Sequence, residues 1–246
     1  MGAIVFSDVH ADSVAIRALG ACIKTPLFKK EIGQTDMLVN LGDLVHRGDR
    51  PQETLETIYE LGNEYRLVSV MGNHDHAYVN RLLVSGSDPA STYRHEILRG
   101  SPLLSIFDTM PMEWSHCGML CVHGGPLELG NQTLRLKCWQ RLSYDSGDSF
   151  AGFHYTAAMA FEALEAQGLK HMCCGHQHHN ICCRKTEHGI TRLTLSHLLQ
   201  KMMKISTGLR WQKFLSICPR CYVWAGATVI TPSLPIPISQ HSPSFV

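Results

Sequence analysis

Met37-Leu38-Val39-Asn40-Leu41-Gly42-Asp43 is apolar for nearly all of its first five residues, then stops on a glycine and a carboxylate. So short a run, bounded by glycine, suits a strand buried on both faces that delivers a charged side chain at its carboxyl end. Four further stretches repeat the pattern. Residues 3–6 precede Asp8-Val9-His10, and residues 67–71 precede Gly72-Asn73-His74-Asp75. Residues 119–122 precede His123-Gly124-Gly125, and residues 171–174 precede Gly175-His176-Gln177-His178. A lone Asp-x-His or His-x-His is common by chance; five such segments in this order are not.

Helical patterns lie between the runs. Residues 11–24 carry apolar side chains at helical spacing. Residues 51–61 open on Pro51, a favoured first helical position, and end before Gly62; residues 150–167 form the longest helical pattern, with Gly168 as its stop. Strands alternating with helices imply an α/β fold, with ligands on the loops at the carboxyl ends of the strands. Residues 85–111 read as loops plus a short helix, either walling or roofing the site or simply connecting two motifs. Farther on, residues 198–205 carry a helical pattern and residues 222–230 a strand pattern. The proline- and serine-rich end is expected to be extended or disordered.

A chain of 246 residues, 44% hydrophobic and 17% charged, can bury a globular core. Its formal net charge of +1 does not imply nucleic-acid binding. The N-terminus lacks the pattern of a signal peptide, and no apolar stretch approaches a membrane span of roughly 18 residues, so a cytoplasmic protein without a membrane partner is expected. Oligomeric state is not encoded in any pattern here. Ten cysteines include a single C-x-x-C, Cys218-Pro219-Arg220-Cys221; a closed zinc site needs a second pair, and buried reduced cysteines are the simpler reading.

The five motifs supply the parts of a binuclear metal centre. Two ions roughly 3.5–4 Å apart clamp a phosphate and acidify a shared water. Asp8 and His10 stand two apart, so an extended backbone turns both to one side. Asp43, directly after an apolar strand, is the candidate bridge. Asn73 offers a neutral carbonyl oxygen, and His123, His176 and His178 offer imidazoles. The neighbouring His74 has a near-neutral pKa suited to protonating a departing alkoxide. Arg47 can hold a phosphate oxygen through its planar fork, beside Asn73 and His74. Mixed oxygen and nitrogen donors suit Mn²⁺, Fe or Zn²⁺.

Together the motifs resemble the signature of the calcineurin-like metallophosphoesterases, over residues 3 to 180. The resemblance implies a four-layer α/β/β/α sandwich over residues 1–200, followed by an atypical C-terminal segment, 201–246. It implies Asp8, His10, Asp43 and His178 around one ion, and Asp43, Asn73, His123 and His176 around the other. His74 would be the general acid, and a hydroxide shared by two divalent metals would attack a phosphate-ester substrate in line. The segments Gly42-Asp43-x-x-His46-Arg47-Gly48 and His123-Gly124-Gly125 are similar to those of serine/threonine protein phosphatases. Those enzymes carry Asp in place of His46, and Glu in place of Asp75. His46 resembles the nuclease branch instead, and Gly175-His176-x-His178 the small bacterial and archaeal phosphoesterases. A phosphomonoesterase or phosphodiesterase is therefore expected, ahead of a serine/threonine-type protein phosphatase. A catalytically silent binding scaffold of the same fold should have lost ligands, and this chain keeps them.

Overall fold

The computed structural model describes residues 2–31, 33–84, 89–128, 136–143, 154–177, 181–194, 214–218, 221–224 and 228–232. The first part of the chain forms β1 (Gly2–Phe6), α1 (Ser13–Lys24), α2 (Pro26–Glu31), β2 (Thr35–Asn40), α3 (Pro51–Glu64), β3 (Arg66–Ser69) and α4 (Asn73–Val79). Next come α5 (Pro89–Glu96), a 3₁₀ turn at Pro102–Leu104, α6 (Ser105–Asp108), β4 (Glu113–His116), β5 (Met119–Val122), β6 (Arg141–Leu142) and β7 (His154–Tyr155). The remainder comprises α7 (Ala157–Ala166), β8 (His171–Cys174), β9 (Ile181–Thr186), β10 (Gly189–Thr194), β11 (Phe214–Cys218), β12 (Cys221–Trp224) and β13 (Thr228–Pro232).

Two large sheets carry the fold. One has the order β11-β12-β1-β2-β3, the other β10-β9-β13-β8-β5-β4. Within the first, β1, β2 and β3 are parallel, with Phe6 opposite Asn40 and Asn40 opposite Ser69. In the second, β5 and β8 are parallel, with Val122 opposite Cys174. Parallel register brings the carboxyl ends of each set level, so all five motif loops leave from strand ends. Apolar side chains on both faces of these strands explain why their runs are continuous rather than alternating.

Helices α1 and α3 cover the first sheet. Asp12 caps α1, its Oδ1 accepting the Ala15 amide at 2.9 Å. Ile16, Leu19 and Ile23 then face Ile4, Phe6 and Leu38, with Leu55 and Ile58 from α3, all buried. The expected stop at Gly62 is overrun, since α3 continues to Glu64. Gly62 lies in the last turn, where a Cβ would make only ordinary contact with Leu67 at 3.6 Å.

The helix expected over residues 150–167 begins only at Ala157. His154–Tyr155 is instead paired with Arg141–Leu142, and Thr156 caps α7 by accepting the Met159 amide at 3.2 Å. Ala160, Phe161 and Leu164 of α7 bury against Leu120, Val122, Met172 and Cys174 of the second sheet.

Residues 222–230 form two strands rather than one. β12 joins the first sheet parallel to β1, and β13 lies between β8 and β9 in the second. The helical pattern at 198–205 and the C-terminal tail lie outside the described residues. Cys218 and Cys221 stand opposite each other across the β11–β12 ladder. Cys121, Cys138, Cys173, Cys174 and Cys183 are buried, as small apolar side chains would be. No helix among the described residues is long and apolar enough to cross a membrane.

Candidate metal centre

The seam between the two sheets is made by the motif loops themselves. His123, leaving β5, donates its Nδ1–H to the Leu41 carbonyl at the end of β2, at 2.7 Å. The His176 amide, beyond β8, donates to Asp8 Oδ2 beyond β1, at 3.1 Å. Gly42 permits the approach: its φ is +97°, and a Cβ there would stand 2.5 Å from the Gly72 nitrogen and 3.0 Å from His123 Nδ1.

The loops are held in an uncommon backbone. Asp8, His10, Ala11, Asp43, His46, Arg47 and His176 all have φ between +48° and +68°. Such left-handed non-glycine residues cost of order 1–3 kcal/mol each and cluster at functional sites. The extended backbone expected at Asp8 and His10 is thus replaced by left-handed turns, and these are what aim both side chains at the seam. Amides of Asp8, His10 and Ala11 donate to the carbonyls of Gly42, Asp43 and Leu44 at 3.0, 2.8 and 2.8 Å, zipping the first loop to the second.

Asp43 is 1% exposed and sits between two donor groups. Its Oδ2 lies 3.6 Å from His10 Nε2 on one side and 3.4 Å from His123 Nε2 on the other. Its Oδ1 accepts the His74 amide at 2.9 Å. The ligand atoms of His10, Asp43 and His74 lie within 4.8 Å of one another, as do those of Asp43, His123 and His176. Asp43 belongs to both groups. Asp8 stands beside the first, 3.9 Å from His10 Nε2, and Asn73 in the second, its Oδ1 at 2.8 Å from His123 Nε2. His178 lies outside the described residues.

The donor set fits a cation. His10 gives its Nδ1–H to the Val45 carbonyl at 3.4 Å and His123 gives its own to Leu41, so both Nε2 atoms face Asp43. On the His123 side three potential ligand atoms meet (Nε2, Asn73 Oδ1 and Asp43 Oδ2), a cluster that suits a cation or, without one, a proton on Nε2. Burial opposes ionisation there, yet the Asp43 charge and hydrogen bond, with Asp8, raise His123 to about 9. Burial likewise favours a neutral Asp43, but His123, His10 and His74 hold its carboxyl far below the usual carboxylate range. His10 is lowered by burial despite both carboxylates, which keeps it a neutral ligand.

His74 does not have the near-neutral pKa expected of it. Burial, with His10, Arg47 and His46, lowers it to about 3 against the opposing pull of Asp43. Its Nε2 is 3.2 Å from Arg47 Nη2 and accepts from it, so the neutral ring carries its proton on Nδ1, 3.2 Å from His46 Nδ1. His46 therefore stands behind His74, on the ring nitrogen turned away from Arg47.

Two residues to which the sequence assigned no role of their own shape the site. Asp75 is fully buried, and its carboxylate gathers four backbone amides. Oδ2 accepts from Asp43 at 2.7 Å and Gly72 at 3.1 Å, and Oδ1 from Leu44 at 2.8 Å and Val45 at 3.3 Å. It is the strut of the Asp43 loop. Burial and the nearby Asp43 charge push its carboxyl up to about 7 against those donors and His123. In the sequence it stood only as the last residue of the Gly72–Asp75 motif, where the protein phosphatases carry Glu; in the structure it lies in the first turn of α4. The other is Arg141, whose Nε donates to His176 Nε2 at 2.9 Å; one arginine between unpatterned segments offered nothing to read.

Residues 1–180 match the family model of the calcineurin-like phosphoesterases, and the chain belongs to that family. Among solved structures it is similar to a metallophosphoesterase from Sphaerobacter thermophilus, 30% identical, covering 51% of this chain and 47% of that one, with TM-score 0.38. A protein serine/threonine phosphatase from Saccharomyces cerevisiae, with similarity to human phosphatase PP5, is 14% identical over 77% of this chain and 68% of that one, with TM-score 0.53. A cold-active protein-tyrosine phosphatase of a psychrophile Shewanella sp. is 17% identical, covering 71% and 65%, with TM-score 0.44. The chain thus spans about half the length of the first of these. No curated protein matches it. The yeast phosphatase supports the fold alone.

Proposed function

We propose that the chain hydrolyses phosphate esters at a binuclear metal centre bridged by Asp43. The sharing of Asp43 between two donor groups carries this reading. Asp8, His10 and His178 would hold one ion with Asp43; Asn73, His123 and His176 would hold the other with it. The ions, Mn²⁺, Fe or Zn²⁺, would supply charge neutralisation of the phosphate and a nucleophile acidified from water.

The chain's own side chains do the rest. Arg47 and Arg141 stand at opposite ends of the Asp43-centred row, one against His74 and one against His176. Cation binding at His176 needs the Nε2 lone pair that Arg141 now occupies. The guanidinium must swing away, and it is then available to a phosphate oxygen. Arg47 would clamp a second oxygen and bring the ester against His74 Nε2. A phosphate dianion there would oppose the burial and the Arg47 charge that lower His74, favouring a proton on Nε2. That proton passes to the departing oxygen while Nδ1 stays anchored on His46.

His46 and Asp75 stand where the protein phosphatases carry Asp and Glu, which favours small phosphomonoesters or diesters over phosphoproteins. Purified protein loaded with Mn²⁺ is expected to hydrolyse an aryl phosphate or its diester. A panel including phosphopeptides, cyclic diesters and nucleotides ranks the substrates. No turnover of any member with Mn²⁺, Fe or Zn²⁺ would refute the hydrolase.

A further inference from the structure

His46 and Arg47 are consecutive left-handed residues, with φ of +68° and +65°, a conformation uncommon outside glycine. Their turn presents one side chain to each nitrogen of His74, both at 3.2 Å. The buried His46 amide donates not to a carbonyl but to the Nε2 of His95 on α5, at 2.7 Å. His95 is 1% exposed, and its Nδ1 lies 2.6 Å from the Ser91 carbonyl one turn earlier. Since Nδ1–H is donated there, Nε2 is a bare acceptor, and only this neutral tautomer serves both partners.

The surroundings fix the ring further. Tyr78 donates its hydroxyl to the His95 carbonyl at 2.8 Å, and the Ser91 hydroxyl donates to the Gly48 carbonyl at 3.3 Å. Helix α5 therefore grips both ends of the 46–48 turn. On its other side the turn is wedged, since a Cβ on Gly48 would stand 2.2 Å from the His10 carbonyl.

We infer that His95 is a positioning residue for His74, acting through the His46–Arg47 turn, which makes α5 a working part of the site. The inference rests on the hydrolase reading above. A ring needed only for bulk would be replaceable by leucine. A ring needed as an acceptor would not, because the His46 amide would lose its partner inside a strained turn.

The test compares His95→Leu with His95→Gln, whose Oε1 can stand near the place of Nε2, in the full chain loaded with metal. Phenyl phosphate needs its leaving group protonated; dinitrophenyl phosphate does not. His95→Leu should lower kcat on phenyl phosphate roughly tenfold or more, with a much smaller loss on dinitrophenyl phosphate, and His95→Gln should keep both. Equal losses on the two esters, or equal damage from Gln and Leu, overturn the inference. Isotope-labelled histidine NMR of the zinc-loaded wild type decides independently of turnover, and so even if His95→Leu does not fold. His95 must carry its proton on Nδ1; a proton on Nε2 overturns the positioning role in an active enzyme. The expected tautomer in a chain that turns over no ester upholds the contact and removes the hydrolase reading instead.

Discussion

Asp43 and Asp75 are both buried carboxylates beside the same loop, yet they do opposite work. Asp43 turns an oxygen toward histidines on two sides, and Asp75 spends both oxygens on backbone amides. Asp75→Asn puts an amino group against two amide donors, so stability should fall by about 2 kcal/mol or more, read by chemical denaturation. Wild-type stability would show that the strut is dispensable. His74→Ala should lower kcat on phenyl phosphate by about 10²–10⁴-fold with metal content unchanged. Full activity in that variant would remove His74 from the proton transfer. The candidate ligands could be picked out because each motif closes an apolar run. The conformation that aims them could not: left-handed φ at Asp8, His10 and Asp43 comes from cross-loop hydrogen bonds between residues more than thirty positions apart.

Strand-ending motifs set the architecture at the level of elements. The runs at 119–122 and 171–174 match β5 and β8 because burial on both faces leaves an uninterrupted apolar signal. Helix ends were harder to read. Local propensity favoured a stop at Gly62 and an early start near residue 150, whereas α3 runs to Glu64, its end closed by the Tyr65 amide on the Leu61 carbonyl, and the β6–β7 ladder takes residues 154–155. Helix α5 is ordinary in sequence, with only Ser91 and His95 of its eight residues buried, and those two reach the 46–48 turn. At the junction of β2 with its loop, Gly42→Ala cannot be absorbed, since the new Cβ would meet backbone rather than a flexible side chain. Loss of soluble protein or of bound metal is expected. A Gly42→Ala protein with wild-type melting and metal content would contradict the packing described here.

Across the whole molecule, two sheets with separate apolar cores meet where their loops gather carboxylates and imidazoles. The strands β12 and β13 illustrate what sequence pattern leaves out. Each is four or five residues long, and each pairs with a strand far away in the chain, so neighbours alone could not assign them to different sheets. Ions bridging the seam should tie its two halves together. Chelation is expected to lower the melting temperature and abolish turnover, with both restored by Mn²⁺, because a ligand that binds only the folded state stabilises it. Unchanged melting after complete metal removal would separate the seam from the metals. The bridge itself is tested most directly by metal content per chain, measured by elemental analysis in the wild type and in Asp43→Asn. The wild type should hold two ions and the variant should lose affinity for both; two tightly held ions in Asp43→Asn, or a single ion in the saturated wild type, would contradict the shared carboxylate.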